Sequence, residues 1–463
     1  MFKGIAYADD VKPAITCMEE FYLVDRACTL LEKAAGVKLH RDPGSGKVKF
    51  LALGRWRGTL RQEDLPHQYV RLSDHLDFVG VELRSSFVQT RKANGDILQS
   101  RIMNIVGSWK AGRFMPLSQR AYSANCYALS KVWYRCSSIN LRVQDHSQIT
   151  SQVKSWLYQD LLIKPSELVL YRDAADGGLG LMNVSIRALA LLIRSFLETS
   201  INPKYRHSLF HEHLFRYHVM EEHTLPNPGF TPYYDRDFFS VIAHYKHSST
   251  LNIATMTIKQ WYSVLLEDKV LMKPVNLQVQ GPRELVPIRP ELKFPETDWT
   301  QVWSLARTKG LGSELVSFQF KIMHDLLPTQ ERAARLGVGE PNHGQCLLCR
   351  LDTEDLVHGL LDCPYNMGAG QALLGVVQQI LPDLDNERAV RLDFRRILQS
   401  DENLAVQCIL LTGMKYIWET RITRKVVHLF RMRAEIEAKI SILRKTRFSN
   451  TALLMENSIN LLR

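Results

Sequence analysis

Apolar and polar positions divide the chain into a short β-like opening and a long succession of helical stripes. The run Gly4-Ile5-Ala6-Tyr7 leads into Asp9 and Asp10, and Ala14-Ile15-Thr16 follows, which predicts a β-hairpin with the acids at its turn. Ile102, Val106 and Trp109 then recur at four and three residues, a core-facing stripe that Tyr122, Cys126, Leu129, Trp133 and Cys136 continue. Residues 146–162 place Ile149, Val153, Trp156 and Leu157 on one side of a further helix. Pro165 and the run Asp176-Gly177-Gly178-Leu179-Gly180 end that pattern. Without the lysine-bearing spacing of a phosphate loop, the glycines read as a turn. Residues 183–197 give a long apolar helix with Ile186, Leu189, Leu192, Ile193 and Phe196 inward.

Between residues 200 and 300 prolines interrupt the periodicity, and residues 281–296 read as the linker. His211 and His213 stand at spacing two there, which suits metal ligation on a strand but more often marks ordinary surface histidines. Helical rhythm resumes at Trp299, Trp303, Leu305, Leu311 and Leu315, and again over Phe318, Phe320, Ile322, Met323, Leu326 and Leu327. In the tail, residues 405–418 are apolar, and Val426, Phe430, Ile436, Ile440 and Leu443 make a last stripe. The expected class is mainly α with a small β part (α+β).

The 463 residues, 45% hydrophobic and 23% charged, suffice for two to four domains with cores of their own. Every apolar run is too short to span a bilayer, and no signal peptide opens the chain, so a soluble intracellular product is expected. The net charge of +11 is concentrated in two windows. Residues 91–135 carry eight basic side chains, among them Lys110, Arg113, Arg120 and Lys131, against Asp96 alone. Residues 421–447 carry nine, including Arg431 and Arg433, against Glu435 and Glu437. Each window nets +7 and leaves −3 for the remainder, so the positive field is local and suits RNA or DNA as partner. Glu435 and Glu437 argue against a membrane-surface role for the second window.

The eight cysteines form no disulfide framework, which suits a reducing compartment. Four residues have metal-ligand spacing: Cys346 and Cys349 two residues apart, then His358, then Cys363. Two cysteines at that spacing grip one zinc ion from a tight knuckle, and His358 and Cys363 complete a tetrahedral sulfur–nitrogen shell. Residues 354–361 read as a helix presenting His358, and His343 could stand in for it. With protein at all four positions such a site is structural, and its ligand atoms are expected to converge within about 4 Å.

Adjacent aspartates repel one another, so Asp9 and Asp10 at one turn suggest a cation between them. Tyr7-Ala8-Asp9-Asp10 resembles the catalytic box of reverse transcriptases, particularly those of LINE-type (non-LTR) retrotransposons. The order of later segments is similar as well. A helix is followed by Gly36-Val37-Lys38-Leu39 and by Gly46-Lys47-Val48-Lys49, then Leu53-Gly54-Arg55-Trp56 and Leu76 to Val81, the latter like a strand that grips the primer end. The Gly177 to Leu181 run and the Cys/His cluster also resemble the carboxy-terminal part of such proteins.

The resemblance implies a partial palm over residues 1–88 and a helical thumb over 89–200. A connector follows over 201–297, then a helical region with a Cys-Cys-His-Cys zinc knuckle over 298–370 and a basic helical tail over 371–463. It implies Asp9, supported by Asp10, as magnesium ligand. In an intact palm two Mg²⁺ ions would activate the primer 3′-hydroxyl and stabilise the leaving pyrophosphate. Lys47 or Lys49 would lie near the incoming nucleotide, although Arg41-Asp42-Pro43-Gly44-Ser45 departs from the family's loop. The family's other palm aspartate lies upstream of the box, so this chain is expected to lack it, together with the fingers and endonuclease. The implied function is a fragment of an RNA-directed DNA polymerase, of nucleus and cytoplasm, that binds RNA and DNA without polymerising alone. Its rivals are a stand-alone nucleic-acid-binding zinc protein and an inert remnant of a decayed element.

Overall fold

A computed structural model describes residues 3–7, 10–36, 47–109, 115–159, 161, 163–201, 209–227, 234, 236–246, 252–268, 299, 302–303, 310–337, 344–393 and 400–460. The opening holds β1 (Lys3–Tyr7), β2 (Asp10–Ala14), α1 (Met18–Ala35), β3 (Val48–Leu51), β4 (Val70–Ser73), β5 (His75–Phe78) and β6 (Val81–Arg84). Helices follow: α2 (Phe87–Ser108), α3 (Leu117–Ser123), α4 (Ser130–Cys136), α5 (Val143–Leu157), α6 (Glu167–Tyr171) and α7 (Val184–Ile201). Then come α8 (Leu209–Leu214), α9 (Arg236–Lys246), α10 (Ile258–Leu266), α11 (Ser313–Met323), α12 (Gln330–Arg335) and α13 (Met367–Gln378). The chain closes with α14 (Asn386–Arg391), α15 (Ser400–Ile422), α16 (Leu429–Arg444) and α17 (Ser449–Ile459). The protein is thus mainly helical, as its stripes predict. Among the described residues no helix is long and apolar enough to cross a membrane.

The chain forms two compact units that interleave in sequence. One comprises Met1–Asn104, Ser130–Thr150 and Val184–Tyr262; the other comprises Ile105–Leu129, Ser151–Asn183 and Ser263–Arg463. The expected linker at 281–296 lies outside the described residues.

Among the described residues the first unit holds three two-stranded ladders. Strands β1 and β2 pair antiparallel with Tyr7 opposite Asp10, so the hairpin is present but Asp10 opens its second strand. Strands β3 and β4 are parallel. The strand expected over Leu76 to Val81 is instead a hairpin: Phe78 pairs with Val81, and Val79 and Gly80 turn between them with φ of 47° and 77°. A two-residue hairpin turn of this hand needs positive φ at both positions, which glycine adopts freely. Arg135 Nε donates to the Gly80 carbonyl at 2.8 Å and fixes that turn. The free edge of β6 is capped by a side chain, because Asn94 donates to Glu82 O at 2.7 Å and accepts from Glu82 N at 3.1 Å. Beside it, buried Asp145 accepts from Gln99 and from the Arg142 guanidinium, and Gly95 leaves it the room. Farther on, Phe196 of α7 lies within an aromatic cluster with Tyr234, Phe238 and Phe239.

The second unit is organised around α15, whose residues from Leu404 to Leu411 are all buried. A helix apolar all round must be enclosed, and α11, α13, α16 and α17 enclose this one. Gly413 allows the approach of α13, since a Cβ there would stand 2.5 Å from a Leu373 methyl. In the same unit the Gly177-Gly178 run is the expected turn. It opens with φ of 79° at Gly177, whose carbonyl lies 2.6 Å from His324 Nε2.

Candidate metal centre

Residues 344–366 are folded largely by turns. Gln345 bridges Thr353, and the Cys346 N–H donates to Asp352 O at 2.9 Å, which closes a small loop around the cysteine pair. Arg350, at φ 57°, turns the chain at its tip. Backbone amides point at sulfur: Leu348 N donates to Cys346 Sγ at 3.4 Å, and Leu351 N donates to Cys349 Sγ at 3.5 Å. Such N–H dipoles favour thiolate over thiol. The expected helix over 354–361 is replaced by one turn at Leu356 and Val357 and then a π-helical stretch, His358–Asp362. The Cys363 N–H donates to His358 O at 2.9 Å across five residues, which brings the last two candidate ligands together where an α-helix would turn them apart.

All four ligand atoms lie within 4.8 Å of one another. Cys346 Sγ and Cys363 Sγ are 3.8 Å apart, and Cys349 Sγ stands 3.3 Å from His358 Nε2. A tetrahedron of zinc–sulfur bonds of about 2.3 Å has an edge of about 3.8 Å, whereas a disulfide would need about 2.05 Å. These two pairs therefore fit the expected spacing, and the whole set is slightly looser than the ~4 Å anticipated. Cys346, His358 and Cys363 are buried and Cys349 is half-buried. Burial pushes the Cys346 thiol up to about 11 and raises Cys363 as well. At Cys349 burial acts the same way, but the N–H groups of Leu351 and Asp352, together with hydrogen bonds to the Cys346 and Cys363 sulfurs, outweigh it and hold that thiol below its ordinary value. Three soft donors and one imidazole in this arrangement can hold a zinc ion, with no position left for a substrate.

The surroundings contain residues that motif spacing did not reveal. Glu354 is fully buried and its carboxylate accepts from Gln330 N at 3.0 Å, from Leu347 N at 3.3 Å and from Arg421 Nη2. Burial lowers the Arg421 guanidinium to about 10, which leaves it charged at neutral pH, and Glu354 is its counter-charge. Asp355 accepts from the His358 N–H at 2.8 Å and starts the turn that carries the imidazole. In sequence, Glu354 reads as a solvated helix start and Arg421 as one more member of a basic window. Only their burial gives them a role.

The other expected site residues are not brought to this centre. Asp9 lies outside the described residues, as does the side chain of Asp10, so no magnesium site is formed from described atoms. Lys47 and Lys49 are exposed around the start of β3, and Lys131 is exposed on α4. Lys110, Arg113 and His343 lie outside the described residues. Arg120 corrects the expectation of a solvent-facing side chain: it is 2% exposed and donates to Met115 O and Leu157 O, both at 2.9 Å. Arg135 is likewise buried. Arg431 is exposed, and Arg433 pairs with Glu437 at 2.8 Å. His211 and His213 join no metal-ligating group among the described residues. No protein-family model matches the chain, and no curated protein matches it either.

Proposed function

We propose that the chain is the carboxy-terminal part of a LINE-type reverse transcriptase and that it binds RNA and DNA around a structural zinc knuckle. The observation that carries this reading is the convergence of Cys346, Cys349, His358 and Cys363 in a basic chain that also bears Tyr7-Ala8-Asp9-Asp10. The pairing of Tyr7 with Asp10 across β1 and β2 supports it, because palm carboxylates sit where such a hairpin turns. In this reading Cys346, Cys349, His358 and Cys363 hold the zinc, which orders the knuckle and supplies no chemistry. Exposed Lys47, Lys49, Lys131 and Arg431 contact phosphates, and Lys110 and Arg113 are their proposed companions.

Binding is the activity proposed for these 463 residues. The test is binding of an RNA–DNA duplex across a salt series. If about six phosphates are contacted, affinity falls roughly a thousandfold between 50 and 200 mM salt. Charge reversal at Lys110 and Arg113 flattens the slope. Absence of binding at low salt favours an inert remnant. Template-dependent dNTP incorporation abolished by Asp9→Ala would overturn the restriction to binding. A stand-alone nucleic-acid-binding zinc protein is the second reading, favoured by the same cluster if the hairpin holds no metal.

A further inference from the structure

Helix α15 ends at Ile422 and α16 begins at Leu429, and the elbow between them is a surface of unusual make-up. Arg424, at φ 52°, reverses the chain, and residues 425–428 run without helix to α16. Ile422, Val426, Leu429 and Phe430 are exposed there, Phe430 to 81%. Arg424, Lys425, His428 and Arg431 are exposed between them. No carboxylate occurs from Thr420 to Ala434. The elbow is held from behind, because Arg421, one residue before it, is buried against Glu354 of the candidate metal centre.

An exposed aromatic ring among exposed cations is complementary to a strand whose phosphates carry charge and whose bases offer flat faces. We propose that this elbow binds single-stranded nucleic acid, with a base stacked on Phe430 and the backbone on Arg424, Lys425 and Arg431. The inference rests on the nucleic-acid reading above and deepens it by naming a strand type and a stacking residue. A second copy of the chain does not suit the elbow, since two such surfaces repel. A lipid surface suits it less, because Met432, Ile436, Ile440 and Leu443, the apolar face of α16, are buried in the core. What remains exposed is too broken by charge to form the separate apolar face of an interfacial helix.

The test uses the full chain as purified, with fluorescent oligo-dT, oligo-U and an RNA–DNA duplex as probes. Phe430→Ala, a change at an exposed position, should weaken single-strand binding about 5- to 100-fold and leave duplex binding unchanged. Phe430→Trp should retain single-strand affinity and show indole quenching on saturation. Charge reversal at Arg424 and Lys425 should weaken single-strand binding and flatten its salt dependence. Single-strand affinity indifferent to Phe430→Ala overturns the proposal while leaving general nucleic-acid binding intact. If the unmodified chain binds no nucleic acid at all, the broader reading falls with it. Binding to phosphatidylserine-containing vesicles, or self-association, that Phe430→Ala abolishes in place of strand binding also overturns it.

Discussion

Glu354 and Arg421, 67 residues apart in sequence, form an ion pair in which neither side chain reaches solvent appreciably. The carboxylate also accepts from backbone amides at Gln330 and Leu347, so one residue ties the start of α12, the cysteine knuckle and the end of α15. A buried pair adds little net stability against an apolar replacement, but removing one member leaves an uncompensated charge.

Arg421→Met should therefore destabilise the protein by about 3–5 kcal/mol, and adding Glu354→Leu should recover part of that loss. Urea denaturation of the two variants measures it. A single-variant loss under about 1 kcal/mol, of the size found for exposed pairs, would show that the pair is not buried in solution.

Gly370 sets a second constraint on the knuckle. A Cβ there would stand 2.5 Å from Leu361 O, in the turn that carries His358 and Cys363. Gly370→Ala should cost about 1–3 kcal/mol and weaken metal binding, because the turn must move. Gly375→Ala, on the same helix with nothing within 4 Å, should be neutral or slightly stabilising. Competitive zinc titration with a chelator compares the two, and equal affinities would contradict the packing argument.

Acid should weaken the second unit through His324. Its ring stacks on Trp303 at 5.2 Å, and burial lowers it to about 4 despite the Gly177 carbonyl. The native state keeps this imidazole neutral, whereas the unfolded chain takes up a proton near pH 6.5. The native advantage is thus complete above about pH 6.5 and lost progressively as pH falls toward 4, up to about 3 kcal/mol. His324→Gln should lose that pH-dependent component. Stability curves of the two proteins that stay parallel from pH 7 to 4 would exclude it.

These features differ in how far the sequence discloses them. Ile149, Val153, Trp156 and Leu157 are buried as their spacing predicts, and so are Ile436, Ile440 and Leu443. Tyr122 and Cys126 belong to the expected inner stripe but are exposed. The buried face there is made of Ala121, Ala124 and Ala128, small residues that carry little hydrophobic signal, and the π-helical stretch Ala124–Leu129 shifts the phase. Val426 leaves its stripe because the chain is not helical there, whereas Phe430, already within α16, stands six residues before Ile436 and so on another face of the helix. The Cys/His cluster was legible because ligand chemistry fixes its spacing. Glu354 was not, because a buried carboxylate and an exposed one read alike in sequence.

Chelation should act locally. Removing metal should speed amide exchange over residues 344–366 and at the end of α15, where Glu354 holds Arg421, and leave α7 and the aromatic cluster around Phe196 protected. Loss of protection throughout would mean that metal stabilises the whole chain, and no change would mean that the turns stand without it.

The most direct measurement is metal analysis with X-ray absorption on protein purified without chelator. The expected result is one zinc per chain, with three sulfurs at about 2.3 Å and one nitrogen at about 2.0–2.1 Å, lost on Cys349→Ser. Protein that folds with no zinc, or with zinc in an oxygen-rich shell, would contradict the assignment of Cys346, Cys349, His358 and Cys363 as its ligands.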